Sequence, residues 1–176
     1  TCPKNKKISQ KFGKLQPIPI HPQGKPFHHL IIDYFGPLPS SSGKKFILTA
    51  IDTTTKFVIA KATTAADAKN VSSFLLNDVI LHYGYFSKLS SDRGTHFTAS
   101  IISHLCTALS IQKQTSTAYH PQSQGLVERF NRTLATLISH YVNENTNNWS
   151  SFLPFLIFFY YCAKHETTGY SPFFLL

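Results

Sequence analysis

The sequence predicts an α/β domain: a mixed five-stranded sheet, three antiparallel strands followed by crossover strands, flanked by helices. Three observations carry this. Three apolar runs of strand character follow one another with only short turn-forming connections. Beyond residue 64, segments with apolar residues at helical spacing alternate with short strand-like runs. Hydrophobic residues make up 42% of the 176, enough for one domain with a sizeable core.

Residues 1–26 do not read as a packed element. Six lysines (Lys4, Lys6, Lys7, Lys11, Lys14 and Lys25) and the stretch Gln16-Pro17-Ile18-Pro19-Ile20 make them a basic arm or linker, with the domain proper over 27–176. The first three strands are expected at 29–35, 45–52 and 57–62, broken by Pro37-Leu38-Pro39 with its following serines and by Thr53-Thr54-Thr55-Lys56. Thr64-x-x-Asp67 has the pattern of a capping box. Val71, Phe74, Leu75 and Val79 then recur at three and four residues to give a helix one apolar face, and Gly84 ends it. A fourth strand is expected at 87–91, a helix at 100–109 and a fifth strand at 111–116. A polar loop over 117–125 leads into a long helix from 126, whose first turn holds Glu128. The last helix, from 149, is apolar enough to read as buried.

The formal charge of +9 favours a polyanionic partner, because neutralising phosphates releases condensed counterions. Charge that serves solubility alone is the competing explanation. An odd cysteine count (Cys2, Cys106, Cys162) without C-x-x-C argues against a disulfide framework, and Cys106 and Cys162 read as core residues. The longest apolar run, 152–163, contains Pro154 and is too short to cross a bilayer, so no membrane association is expected. The absence of Met and the apolar end Pro172-Phe173-Phe174-Leu175-Leu176 suggest a piece of something longer.

Three of only eight acidic residues carry the chemistry: Asp33 in the first strand, Asp92 at the carboxyl end of the fourth, and Glu128. Open α/β sheets place ligands at the carboxyl ends of strands. Carboxylates gathered there suit two Mg²⁺ or Mn²⁺ ions acting on a phosphodiester, since such ions prefer oxygen ligands. Taken singly, each has a simpler explanation. An Asp after a strand often forms a turn, and Glu128 could just pair with Arg132 four residues on. Asp52 also ends an apolar strand and reads as a turn residue. His28 and His29 read as surface residues at a strand entry rather than metal ligands. Ser123 and Thr95 have no Ser/His/Asp order to support acyl transfer.

Asp92 and Glu128 are separated by 35 residues, and Asp33 is followed by Phe35-Gly36-Pro37-Leu38-Pro39. With Thr117-Ala118-Tyr119-His120-Pro121-Gln122, Glu128-Arg129-Phe130-Asn131-Arg132-Thr133-Leu134 and Thr167-Thr168-Gly169-Tyr170-Ser171-Pro172-Phe173, this resembles the catalytic core of retroviral and LTR-retrotransposon integrases, the gypsy-type branch above all. The resemblance spans about 16–176. It implies an RNase H-like fold and metal-dependent DNA 3′-end processing and strand transfer that insert retroelement DNA into host DNA. It makes Asp33, Asp92 and Glu128 the catalytic and metal-holding triad for two ions. It also implies double-stranded DNA (element ends and target) as partner, a homo-oligomer, synthesis in the cytoplasm within a polyprotein, and action in the nucleus. Tyr119 and Gln124 match loop positions that approach the DNA end. His120, Arg93, Arg129 and Lys113 are further candidates for phosphate contacts. Cys2 resembles the last cysteine of the family's zinc module. Tyr161 stands where related elements often carry Asn. The alternatives are a domesticated or inactive DNA-binding descendant and an RNase H-type nuclease.

Overall fold

The computed structural model describes residues 25–115, 121–141 and 148–176. Its sheet has the strand order β3-β2-β1-β4-β5. β1 (His29–Phe35), β2 (Phe46–Asp52) and β3 (Val58–Thr63) form the antiparallel meander, because their connections are too short to cross a face. β4 (Lys88–Ser91) and β5 (Gln112–Thr115) follow helical crossovers and run parallel, β4 beside β1 and β5 beside β4. This is the mixed sheet that the apolar runs predict.

The pleat sends alternate residues of β1 to opposite faces. Leu30 and Ile32 join one core with Val71, Phe74, Leu75, Val79, Phe97, Ile102 and Cys106. Ile31 joins the other with Leu126, Phe130, Leu134, Trp149, Leu153 and Ile157. The first core therefore lies under α1 (Ala68–Ser73), the π-helical turn Phe74–Ile80 that continues it, α3 (Thr95–Thr98) and α4 (Ser100–Ala108). The helix through α1 ends as α2 (Leu81–Tyr83) at Gly84, whose φ of 87° is open to glycine without steric cost. The second core lies under α5 (Pro121–Tyr141) and α6 (Trp149–Cys162). Trp149 anchors α6, buried and donating from Nε1 to Pro39 O at 2.7 Å. A short α7 (Pro172–Leu175) closes the chain, with Ser171 accepting from Phe174 N.

Several expectations need correction. The cap of α1 is Asp67, not Thr64: its Oδ1 accepts from Asn70 N at 2.7 Å. α5 begins at Pro121, so part of the expected loop is helical and Glu128 falls beyond the first turn. Proline suits a first helical position because its fixed φ is already helical and it lacks only a donor with no partner there. α6 is not buried all round. Leu153, Leu156 and Ile157 face the sheet, while Phe152, Phe155, Phe158 and Phe159 are exposed. Cys162 is exposed on the same helix, whereas Cys106 is buried as expected. Tyr161 is accommodated by stacking on Phe57 at 4.2 Å and by donating its hydroxyl to Val58 O. Among the described residues no helix is long and apolar enough to cross a membrane.

Candidate active site

Asp33 sits on the α5 face of β1, two residues beyond Ile31 and so on the same side of the pleat. The β1–β4 ladder runs from His29↔Lys88 to Ile31↔Ser90. Continued by two residues, that register sets Asp33 beside Asp92, which immediately follows β4. The electrostatics agree. Burial pushes the Asp33 carboxyl up from 3.8 to about 6, opposed by a hydrogen bond from Asn131 and reinforced by the negative charge of Asp92. Asp92 itself is exposed, and its Oδ1 accepts from Gly94 N at 2.8 Å.

α5 reaches this pair through Asn131, whose Nδ2 donates to Asp33 Oδ2 at 2.9 Å. Residues three apart are neighbours on a helix surface. Glu128 therefore stands one turn before Asn131, on the flank of α5 that meets Asp33. It is exposed and forms no ion pair with Arg132 among the described residues. Asn131 is the contact to Asp33 that sequence reasoning missed. Its bond joins positions 98 apart, which no local pattern announces.

Among the described residues, no three His, Cys, Asp or Glu side chains are gathered closely enough to hold one metal ion. The close pair is Asp33 with Asp92, while Glu128 lies on the neighbouring helix and is not gathered with them. This donor set still fits hard cations. Mg²⁺ is usually held by one or two carboxylates with water and phosphate completing its shell. Asn131 Oδ1 is buried without a hydrogen-bond partner, an acceptor left over beside a carboxyl that burial disfavours in its ionised form. A cation with its water shell would satisfy both.

The other expected residues divide. Tyr119 and His120 lie outside the described residues, as does Cys2, and for Gln124 only the helical backbone is described. Arg93 is exposed in the turn after Asp92. Lys113 donates to Ser103 Oγ at 3.2 Å, on β5. Arg129 lies two residues from Asn131, about 200° around the helix, and so on the other flank of α5. Its charge acts on Lys56, Tyr160 and His165 instead. Asp52 is the turn residue expected: Oδ2 accepts from Thr55 N and Thr55 Oγ1 at 2.9 and 2.7 Å. His29 is half-buried, with Nε2 2.8 Å from Ser90 Oγ.

Comparisons with known proteins point to one family. A family model described as the integrase core domain matches residues 23–121. The chain is 33% identical over 148 residues to a retrovirus-related Pol polyprotein from transposon 412 of Drosophila melanogaster, covering 84% of this chain and 12% of that protein. It is 32% identical over 151 residues to the Gag-Pol polyprotein of avian reticuloendotheliosis virus, covering 86% and 13%. The chain thus spans about an eighth of the length of these curated relatives. Among solved structures, it is similar to the catalytic core domain of BIV integrase, with a TM-score of 0.67, 28% identity, and 85% and 93% of the two chains covered. It is also similar to a simian T-cell lymphotropic virus intasome chain, with a TM-score of 0.74, 25% identity, and 85% and 54% covered.

Proposed function

Since the chain belongs to the integrase core domain family, we propose that it is the catalytic core of a retroelement integrase, acting on double-stranded DNA by 3′-end processing and strand transfer. The observation that carries this reading is the Asp33–Asp92 pair, tied through Asn131 to the helix that bears Glu128. Asp33, Asp92 and Glu128 are the residues that would hold two Mg²⁺ or Mn²⁺ ions, Asp33 and Asp92 as the close pair and Glu128 from α5. When bound, the ions supply Lewis-acid activation of the nucleophile and neutralise charge building on the phosphate, so no protein base is needed. Asn131 holds the Asp33 carboxylate in place, and its free Oδ1 is an acceptor for ordered water at the site.

The parts around the centre follow. Residues 27–176 form the core and 1–26 a basic arm that adds phosphate contacts. Tyr119, His120 and Gln124 approach the DNA end, while Arg93 is the cation nearest in sequence to the acidic pair. The exposed aromatic residues of α6 and α7 support association with a second copy. The product is released from a Pol polyprotein and works in the nucleus.

The test is a gel assay of the chain with Mn²⁺ and a branched DNA that reports disintegration, alongside Glu128→Gln. A metal-dependent product that the substitution abolishes supports the reading. Salt-sensitive DNA binding with no such product points to an inactive descendant, and preferential cleavage of an RNA–DNA hybrid points to an RNase H-type nuclease.

A further inference from the structure

β3 is the outer strand of the sheet on its meander side. Its hydrogen-bonding phase is fixed at both ends. Asp52 N donates to Phe57 O at 2.8 Å and Lys45 N to Thr63 O at 2.9 Å, so the odd-numbered residues of β3 turn their backbone groups toward β2. Val58, Ala60 and Ala62 turn theirs to the outer edge. Val58 O is taken there by the Tyr161 hydroxyl. Ala60 and Ala62 take no hydrogen bond on that side among the described residues. Along the same edge runs a cavity of about 400 Å³, lined by β3, by Leu153, Pro154 and Ile157 of α6, and by Tyr83 and Tyr161. The side chains of Val58, Ala60 and Ala62 lie on the α6 face, where two methyl groups leave space that a larger residue would fill.

The arm contains a segment that matches this edge. Pro17-Ile18-Pro19-Ile20 is an apolar stretch in a Lys-rich sequence. The chain joins the fold at Phe27, whose ring meets Tyr83 at 5.1 Å and Phe57 at 5.8 Å, beside the cavity and the start of β3. An extended strand rises about 3.3 Å per residue, so the seven steps from Phe27 back to Ile20 reach about 23 Å, against about 10 Å from Phe57 to Ala60. Backbone groups alternate along a strand. Ile18 and Ile20 therefore present N–H and C=O to one edge, and Pro17 and Pro19 face the other, where a missing N–H costs nothing.

We propose that Pro17-Ile18-Pro19-Ile20 docks on its own chain as a strand antiparallel to β3, with Ile20 opposite Ala60 and Ile18 opposite Ala62. The inference rests on the fold and is independent of the integrase reading. The antiparallel direction follows from the entry at Phe27, which puts Ile20 nearer the start of β3 than Ile18. Residues opposite one another share a face of the sheet, so both isoleucine side chains enter the cavity beside α6. The next residue on the bonding side is Pro22. It comes opposite Val58, whose oxygen already has a donor in Tyr161. Pro17 and Pro19 then line the new outer edge and block further strand addition. Attachment through Phe27 keeps the segment at a high effective concentration, so few contacts suffice.

The experiment is amide hydrogen exchange, read residue by residue by NMR, on the 176-residue chain and on Ile18→Asp with Ile20→Asp. The expected result is that Ala60 and Ala62 N–H exchange roughly tenfold or more slowly in the unaltered chain than in the variant. Ile59 and Lys61, whose amides face β2, exchange alike in both. Should the charged variant aggregate, Ile18→Pro with Ile20→Pro removes the two donors without adding charge and gives the same comparison. Pro17→Ala with Pro19→Ala keeps the protection, because those positions face outward. Equal exchange of Ala60 and Ala62 in the unaltered chain and the variants overturns the proposal. So does protection that survives the substitutions, as a second copy covering β3 with another surface would give. Protection that fades on dilution assigns the added strand to another copy and overturns docking within one chain.

Discussion

Replacing Asp33 by Asn is expected to stabilise the fold and abolish activity together. Burial raises the Asp33 carboxyl from 3.8 to about 6 even with the Asn131 bond in its favour. The folded chain therefore holds a proton that the unfolded chain has lost between those two pH values, and stability falls as pH rises through that window. One unit corresponds to about 1.36 kcal/mol, so the ionised carboxyl costs at most about 3 kcal/mol at pH 7, or roughly 2 kcal/mol allowing for its partial exposure. Asn keeps the shape and still accepts from Asn131 Nδ2, yet carries no charge. Asp33→Asn should then melt roughly 4–8 °C higher at pH 7 in EDTA, by the usual slope for a domain of this size. Near pH 4 the gain should vanish, because the folded aspartic acid is then neutral as well. Thermal unfolding at both pH values makes the comparison. A gain of the same size at pH 4, or none at pH 7, refutes the claim that burial disfavours the ionised carboxylate at this position. Mg²⁺ should raise the melting temperature of the unaltered chain and leave Asp33→Asn unmoved.

Asn131→Ala removes the bond that favours the ionised form, so the Asp33 carboxyl moves further up; the Mg²⁺ needed for half-maximal activity should rise about tenfold, more at pH 6.5 than at pH 8. Trp149→Phe removes the Nε1–H bond to Pro39 O and part of a fully packed ring, and should cost about 1–3 kcal/mol in urea unfolding, with strand-transfer chemistry unaffected once folded. Phe155→Ser with Phe158→Ser removes exposed aromatic surface from α6 and should shift sedimentation toward the monomer while leaving the thermal melt within a few degrees.

What the sequence made legible followed from its local chemistry. Alternating apolar runs and turn residues located all five strands, and the spacing of Val71, Phe74, Leu75 and Val79 marked a helix face that is indeed buried. The place of Asp92 at the end of a strand was readable from the sequence. Its closeness to Asp33 was not, because that depends on β1 and β4 pairing in parallel across a crossover. Asn131 was invisible as a partner for the same reason. α6 misled because apolar character all round looks like burial, yet only one face meets the sheet. The onset of α5 was misplaced because Gln122, Ser123, Gln124 and Gly125 favour a loop by local preference, and tertiary packing of Leu126 and Phe130 overrides it.

The central claim is that Asp33, Asp92 and Glu128 together hold divalent cations. Anomalous diffraction from crystals of the chain grown with Mn²⁺ tests it most directly. The account predicts two peaks about 3.5–4 Å apart, one touching Asp33 and Asp92 and the other Asp33 and Glu128. Manganese bound elsewhere, or a metal-loaded chain in which Glu128 still stands away from Asp33, contradicts it.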